Sequence, residues 1–163
     1  MKTKNRIIKT ARICYKITKG LYYASYILCL TFILLAIILS CTKAIKAFTV
    51  SETACLFGTL ALYSFMSIGL LWNIASIFKN VEQEKAPFSE KVSHHLKRSS
   101  LFVMLISVIP ALIGSTVLRI ICQTTDLIFP ISLGGIISGI TIFMIGMFFN
   151  YGKELQKNED ETL

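Results

Sequence analysis

The stretch LYYASYILCLTFILLAIILSC, residues Leu21–Cys41, decides the fold class because it is long and apolar enough to cross a lipid bilayer. A hydrocarbon core of roughly 30 Å requires about 20 apolar residues in an α-helix. Three further segments meet this requirement, at Ala54–Phe78, Leu101–Cys122 and Phe129–Asn150. Backbone polar groups in lipid must be satisfied within the segment, which requires helices. We therefore predict an all-α integral membrane four-helix bundle, a single four-span domain over residues 1–163.

Composition supports a membrane protein over a soluble one. Hydrophobic residues make up 54% of the chain and charged residues 16%, and the mean hydropathy is +0.66. Ordinary soluble chains carry roughly 25% charged residues and about 45–50% apolar ones. Here the charged residues are almost confined to the segments between the apolar runs. The net charge of +8 is therefore interpreted as a signal for membrane orientation rather than for nucleic-acid binding.

The distribution of Lys and Arg predicts the orientation. Fourteen of the seventeen lie in the N-terminal segment 1–20, the central loop 79–100 and the tail 151–163. The three on the other side are Lys43, Lys46 and Arg119. Cytoplasmic loops carry the excess of Lys and Arg. We therefore predict a multi-pass protein of the cytoplasmic membrane, with both termini and the central loop in the cytoplasm.

Residues 1–20 form a basic segment before the first span. Four of its cations share one helical face, namely Lys9, Arg12, Lys16 and Lys19. This spacing predicts an N-terminal interfacial helix that continues into the first span, and the alternative is a solvated basic arm. The basic segment is longer than that of a signal peptide, so we predict an uncleaved anchor.

The central loop KNVEQEKAPFSEKVSHHLKRSS, residues 79–100, contains signals for a helix boundary. Pro87 interrupts any helix that continues from the second span. Ser89 is a suitable N-cap, and Glu90 is favourable in the first turn of a new helix. We predict a short cytoplasmic helix between spans two and three, with an apolar stripe of Phe88, Val92 and Leu96, which can run directly into the third span.

The sequence contains no recognisable catalytic motif. His94 and His95 are adjacent and point about 100° apart on a helix, so they are poorly placed to share one metal ion. Arg119 lies near the end of the third span, where it can snorkel to the headgroups or pair with Asp126. Cys41 and Cys55 flank one loop, so a disulfide between them stays open. We predict a non-enzyme without a catalytic residue, metal or other cofactor.

Small residues on the fourth span predict close helix packing. Gly135 and Gly139 have the spacing at which two helix backbones approach closely, and Gly146 recurs on the same face. This face can either hold the bundle together or join two copies in a homo-oligomer. In the second span, Asn73 is expected to form an interhelical hydrogen bond.

The central KAPFSEKVSHHLKR and the terminal YGKELQKNEDETL, combined with four spans, resemble a bacterial membrane family known as domain of unknown function 2975 (DUF2975). The resemblance covers the chain nearly from end to end. In the central loop it rests on Pro87, Phe88, Ser89, Leu96 and Arg98. In the tail it rests on Gly152, Glu154, Leu155, Gln156, Glu159, Asp160, Thr162 and Leu163. Lys85-Ala86 departs from the small turn residue that is frequent before the Pro-Phe-Ser turn.

The resemblance implies a partner, because members are commonly encoded beside a very small helix-turn-helix DNA-binding protein. The chain is then expected to anchor, sequester or signal to such a regulator, without itself binding nucleic acid. The expected docking residues are Pro87, Phe88, Ser89, Leu96, Arg98, Gly152, Glu154, Leu155, Asp160 and Thr162. Two alternatives stay open: an immunity or envelope-protection protein against a membrane-active peptide, and a small transporter. The transporter is disfavoured because no Asp or Glu lies in the middle of a span.

Overall fold

The protein consists of four long helices in a computed structural model that describes residues 2–42, 50–84, 89–122 and 129–162. Side chains are described for residues 6–39, 41, 51–83, 89–120 and 129–155. The helices are α1 (Lys2–Thr42), α2 (Val50–Glu84), α3 (Glu90–Val117) and α4 (Leu133–Thr162), and a π-helical turn at Leu118–Cys122 follows α3. No strand occurs in these ranges. The predicted all-helical class is confirmed.

All four helices are long and apolar enough to cross a membrane. Their large apolar side chains lie mostly on the outside, as Ile27, Leu133 and Phe148 illustrate, each at least 64% exposed. A soluble protein of this size would bury such side chains. The helices are therefore compatible with a multi-pass integral membrane protein, as predicted.

Each helix runs antiparallel to the one before it and packs against it. Arg12 of α1 is paired with Glu82 of α2, and Cys55 of α2 approaches Gly114 of α3. The start of α1, the end of α2, the start of α3 and the end of α4 consequently lie together. We call this end of the molecule the terminal end. The assignment of the terminal end to the cytoplasm stays a prediction.

The helices follow one another in chain order, and the array is open on one side. α1 packs on α2, α2 on α3, and α3 on α4. Among the described residues, no Cα atom of α1 lies within 8 Å of one in α3 or α4. A closed four-helix bundle would bring the first and last helices into contact. Here a gap between α1 and α4 takes the place of that contact.

The basic N-terminal segment and the first span form one unbroken helix, α1. The part of this helix that precedes the apolar run lies along the end of α2, where Arg12 Nε is 2.7 Å from Glu82 Oε1. No proline interrupts the segment, and Gly20 is the one glycine before the apolar run. The location of residues 1–20 at the membrane interface stays a prediction.

The start of α3 has the predicted cap. The backbone N–H of Val92 donates to the Ser89 hydroxyl at 3.3 Å, and the N–H of Ser93 donates to the Ser89 carbonyl at 3.1 Å. Glu90 is the acidic residue of the first turn, where it complements the helix dipole. The expected cytoplasmic helix and the third span are therefore one helix.

α4 begins at Leu133, four residues after the start of the predicted fourth span. Phe129–Ser132 is not helical: Pro130 disfavours a helical conformation at Phe129, and Ser132 caps the helix through a 3.2 Å bond from the Gly135 N–H. The Ser132 N–H donates to the Ser107 carbonyl at 3.2 Å, which holds this segment against α3. At its other end α4 continues to Thr162, so the polar tail is helical up to that residue.

The glycine face of α4 packs against α3. A Cβ atom on Gly139 would lie 2.5 Å from Met104 Cγ and 3.1 Å from the Ser100 carbonyl oxygen. A Cβ atom on Gly135 would collide with Ser107 Oγ, and one on Gly146 would lie 3.2 Å from Lys97 Cγ. The absence of side chains lets the two backbones approach closely. This face contributes to internal packing, and the homo-oligomer stays a prediction.

Candidate functional site: the terminal-end surface and an apolar cavity

The start of α3 and the tail of α4 form one surface at the terminal end. Lys153 Nζ lies 2.8 Å from Glu90 Oε2, and the Ser93 hydroxyl donates to the Gly146 carbonyl at 2.8 Å. These contacts join residues that are 63 and 53 positions apart in the sequence. We call the exposed parts of these two helix ends the docking surface. It combines the central-loop helix and the tail, which the sequence named as separate candidate elements.

The candidate docking residues have different positions on this surface. Arg98, Glu154 and Leu155 are exposed, and Gly152 is half-buried. Ser89 is half-buried and caps α3. Leu96 does not belong to the surface, because its side chain lines an apolar cavity among the helices. Two other candidates, Pro87 and Phe88, lie outside the described residues. Asp160 and Thr162 belong to α4, but their side chains are not among those that the structure describes.

An apolar pair extends the docking surface along the tail. Tyr151 is 60% exposed and Leu155 is 48% exposed. Residues four positions apart lie on the same face of a helix, so both belong to one stripe of α4. Aromatic residues such as Tyr are enriched in protein–protein interfaces. The tail therefore offers apolar contact area in addition to charge.

The two histidines at the start of α3 differ in exposure: His94 is exposed and His95 is half-buried against α2. Their rings are edge to face, with centroids 5.9 Å apart. His95 Nδ1 lies 3.2 Å from Asn73 Oδ1 on α2, and Asn73 Nδ2 donates to the Gly69 carbonyl at 2.8 Å. The predicted interhelical bond of Asn73 is confirmed. Over the side chains that the structure describes, no group of three His, Cys, Asp or Glu residues is arranged to hold a metal ion.

Other residues singled out in the sequence lie at or near the opposite end. Arg119 is exposed within the π-helical turn, and Asp126 lies outside the described residues. Cys41 and Cys55 are not joined by a disulfide. Cys55 Sγ instead lies 3.6 Å from the Gly114 carbonyl on α3. These positions are remote from the docking surface.

Aromatic residues mark a level near the terminal end. Tyr22 of α1 and Trp72 of α2 have ring centroids 5.8 Å apart, and Lys19 Nζ lies 5.7 Å from the centroid of the Tyr15 ring. These residues line a small recess together with Lys79. Tyr, Trp and Lys are enriched where a membrane protein crosses the headgroup region. We call this group the aromatic belt.

An apolar cavity of about 690 Å³ lies among the four helices at the terminal end. Its walls include Ile7 and Ala11 of α1, Phe78 of α2, Leu96 of α3 and Ile145 of α4. Cavities of roughly 300–1,000 Å³ with apolar walls are typical of small-molecule sites. The sequence did not predict this cavity.

One cation lies in the wall of this cavity. Arg6, the first described side chain of α1, is exposed and lines the space. No carboxylate with a described side chain is paired with it: the two ion pairs in this part of the chain join Arg12 to Glu82 and Lys153 to Glu90. The cavity is therefore apolar along its length and positively charged at the Arg6 side.

No family model matches the chain, and neither a curated protein nor a solved structure matches it. The resemblance of the central loop and the tail to the DUF2975 family therefore stays a prediction. The fold and the candidate site rest on the chain's own helices and contacts.

Proposed function

We propose that this chain is a non-enzymatic protein of the bacterial cytoplasmic membrane that anchors, sequesters or signals to a small cytoplasmic helix-turn-helix regulator. The observation that carries the proposal is the ion pair between Lys153 and Glu90, 2.8 Å long. It joins the two elements on which the resemblance to the DUF2975 family depends. Both elements then face the same side of the membrane and can bind one partner.

The chemistry of the docking surface suits a DNA-binding protein. The tail sequence NEDE, residues 158–161, is acidic, and a DNA-binding domain carries a clustered basic face. Opposite charges on two surfaces steer their association and fix its orientation. The exposed Tyr151 and Leu155 add apolar area, which holds a complex together after encounter. A regulator bound through its basic face would be kept from DNA.

The contacts between α3 and α4 provide a means of control. The Ser93–Gly146 bond and the Lys153–Glu90 pair hold the tail beside the start of α3. A shift of α4 along α3 would separate the two halves of the docking surface. Because both helices are long enough to cross the membrane, an event within the bilayer could release the regulator.

The two other functions gain no comparable support. The immunity hypothesis assigned the glycine face of α4 to a membrane-active peptide. In the structure α3 covers Gly139 and Gly146, which are buried. The transporter hypothesis likewise gains no support from the described side chains, among which no group of three His, Cys, Asp or Glu residues is arranged to hold a metal ion.

A pull-down from the native cell tests the proposed function. The full chain, extracted in detergent, is compared with a chain truncated after Asn150 and with Leu155→Glu. The matched control is Ile131→Glu, because Ile131 has a similar exposed fraction, 44% against 48% for Leu155, and lies two residues before α4 at the opposite end of the molecule.

We expect a small helix-turn-helix protein to be recovered with the full chain and with Ile131→Glu, but not with the truncated chain or Leu155→Glu. Equal recovery by all four chains would place the binding site at the start of α3 alone. Recovery of no DNA-binding protein by the full chain would reject the proposed function.

A further inference from the structure

The apolar cavity at the terminal end is open to the surrounding medium. It lies among all four helices, while α1 and α4 are not in contact. In a multi-pass membrane protein, an opening between two helices at this depth faces lipid. Water gains few hydrogen bonds in an apolar cavity, so such spaces favour hydrocarbon. The geometry therefore gives an acyl chain both a route of entry and a reason to stay.

The depth of the cavity matches the upper part of a lipid molecule. On α2 the cavity is lined between Leu70 and Val81, and the aromatic belt uses Trp72 and Lys79 of the same helix. The two sites are therefore at the same level. Aromatic belts lie near the headgroups, so the cavity extends from the headgroup region into the adjoining hydrocarbon.

The length of the cavity also suits an acyl chain. Its α3 wall extends from Val92 to Val103, which corresponds to roughly 16 Å at 1.5 Å per helical residue. This is about half of a hydrocarbon core of roughly 30 Å, which is the thickness of one leaflet. An extended chain can therefore lie along α3 while its headgroup stays at the terminal end.

The charge of the cavity selects the headgroup. Arg6 lines the cavity and is the one charged residue among the described residues of its wall. Lys9 is exposed one turn further along α1, which adds to the positive field. A guanidinium group can bind two phosphate oxygens at once, and basic residues near the membrane surface attract anionic lipids. A lipid with net negative charge is therefore favoured over a zwitterionic one.

We propose that the cavity binds one anionic phospholipid of the adjacent leaflet, with an acyl chain between α1 and α4 and its phosphate on Arg6. The bound lipid fills the gap between α1 and α4. It thereby connects the start of α1 to the segment Ile142–Phe149 of α4. This site is separate from the docking surface and does not depend on the proposed regulator.

Native mass spectrometry of the full chain tests the site. The protein is reconstituted with equal amounts of phosphatidylglycerol and phosphatidylcholine of the same acyl length, extracted, and analysed for retained lipid. We expect about one phosphatidylglycerol for each chain. Arg6→Gln should lower the preference for phosphatidylglycerol about fivefold, whereas Lys9→Gln, which removes the same charge outside the cavity wall, should lower it much less.

A second pair of variants tests the acyl chain independently of charge. Ile145→Trp fills the cavity from α4, and Ile140→Trp adds the same bulk to a side chain of similar exposure, 47% against 43%, outside the cavity. We expect Ile145→Trp to lower retention of both lipids severalfold and Ile140→Trp to leave it unchanged. The helical circular dichroism of each variant is measured to show that it is folded.

Three results would overturn the proposal. They are equal retention of both lipids by the unmodified chain, equal effects of Arg6→Gln and Lys9→Gln, and equal retention by the two Trp variants. A peptide or a second copy of the chain retained in place of lipid would also overturn it. Recovery of the regulator by Arg6→Gln is measured in parallel, so that failure of the lipid site and failure of the proposed function are distinguished.

Discussion

The Ser93 hydroxyl of α3 donates a hydrogen bond to the Gly146 carbonyl of α4 at 2.8 Å. The bond is buried, and it connects the start of one helix to the last apolar turns of another. The two helices are close together at this point, because Gly146 has no side chain: a Cβ atom there would lie against Lys97 and Leu96. This close approach brings the Gly146 carbonyl within reach of the Ser93 hydroxyl. One hydroxyl therefore helps to set the register in which α3 and α4 pack.

Substituting Ser93 tests this contact. We expect Ser93→Ala to lower the free energy of unfolding by about 1 kcal/mol, because a buried interhelical hydrogen bond is lost. The matched control is Ser99→Ala. Ser93 and Ser99 are each 3% exposed, but the Ser99 hydroxyl has no hydrogen-bond partner among the described residues, so its removal should be neutral or stabilising. Reversible unfolding in mixed micelles measures both variants, and an equal loss from the two would contradict the role of Ser93.

The close approach of α3 and α4 predicts a strong effect of a large side chain at Gly139. Gly139→Leu should lower the free energy of unfolding by about 1–3 kcal/mol or more, because overpacking forces the backbones apart. Gly134→Leu is the control, since a Cβ atom there meets no other atom within 4 Å. Both substitutions replace a helical glycine by a better helix former. The thermal midpoint in detergent is the measurement, and similar midpoints for the two variants would show that α3 and α4 can separate without cost.

The docking surface predicts compensation between two charges. Glu90→Lys and Lys153→Glu should each reduce recovery of the regulator, because like charges then push the tail away from α3. The double variant restores an ion pair with reversed polarity and should restore recovery. The stability of the membrane domain should change little, since both side chains are well exposed.

Pull-down of the regulator with all three variants measures this effect. If the double variant were no better than the single ones, Glu90 or Lys153 would be contacting the partner directly instead of holding the tail.

The bond between Asn73 and His95 predicts coupling between α2 and α3. We expect a double-mutant cycle with Asn73→Ala and His95→Ala to give a coupling free energy of about 0.5–1 kcal/mol. His94→Ala replaces His95→Ala in a control cycle and should show no coupling, because the 3.2 Å contact to Asn73 is made by His95. Coupling of the same size in the two cycles would show that the helix end as a whole, and not this bond, responds to Asn73.

Much of the local structure was predictable from the sequence. The four apolar runs, the Ser89 cap and the hydrogen-bonding role of Asn73 are found where the residues indicated. Helix α4 is the clearest difference, because Pro130 and the capping Ser132 delay its start to Leu133. An assignment by length and apolar character does not detect such a boundary, since Phe129 and Ile131 are as apolar as the residues of the helix that follows.

The cavity and the docking surface could not be predicted in this way. The sequence grouped Leu96 with Arg98 and the tail, but Leu96 lines the cavity and Arg98 is exposed. Residues two positions apart on a helix point in different directions, so the central-loop motif was divided between two sites. Which of them faces a neighbour depends on where α2 and α4 lie relative to α3.

The helical class, the number of apolar helices and the distribution of charge follow from the amino-acid sequence alone, because they depend on local properties. A helix in lipid satisfies its backbone within its own segment, and length and composition are sufficient to identify it. The separation of α1 from α4, the ion pair between Glu90 and Lys153 and the cavity beside Arg6 are features of the tertiary structure. Those features depend on how side chains from distant segments fit together, and packing between helices in lipid is set by shape instead of by burial of apolar surface.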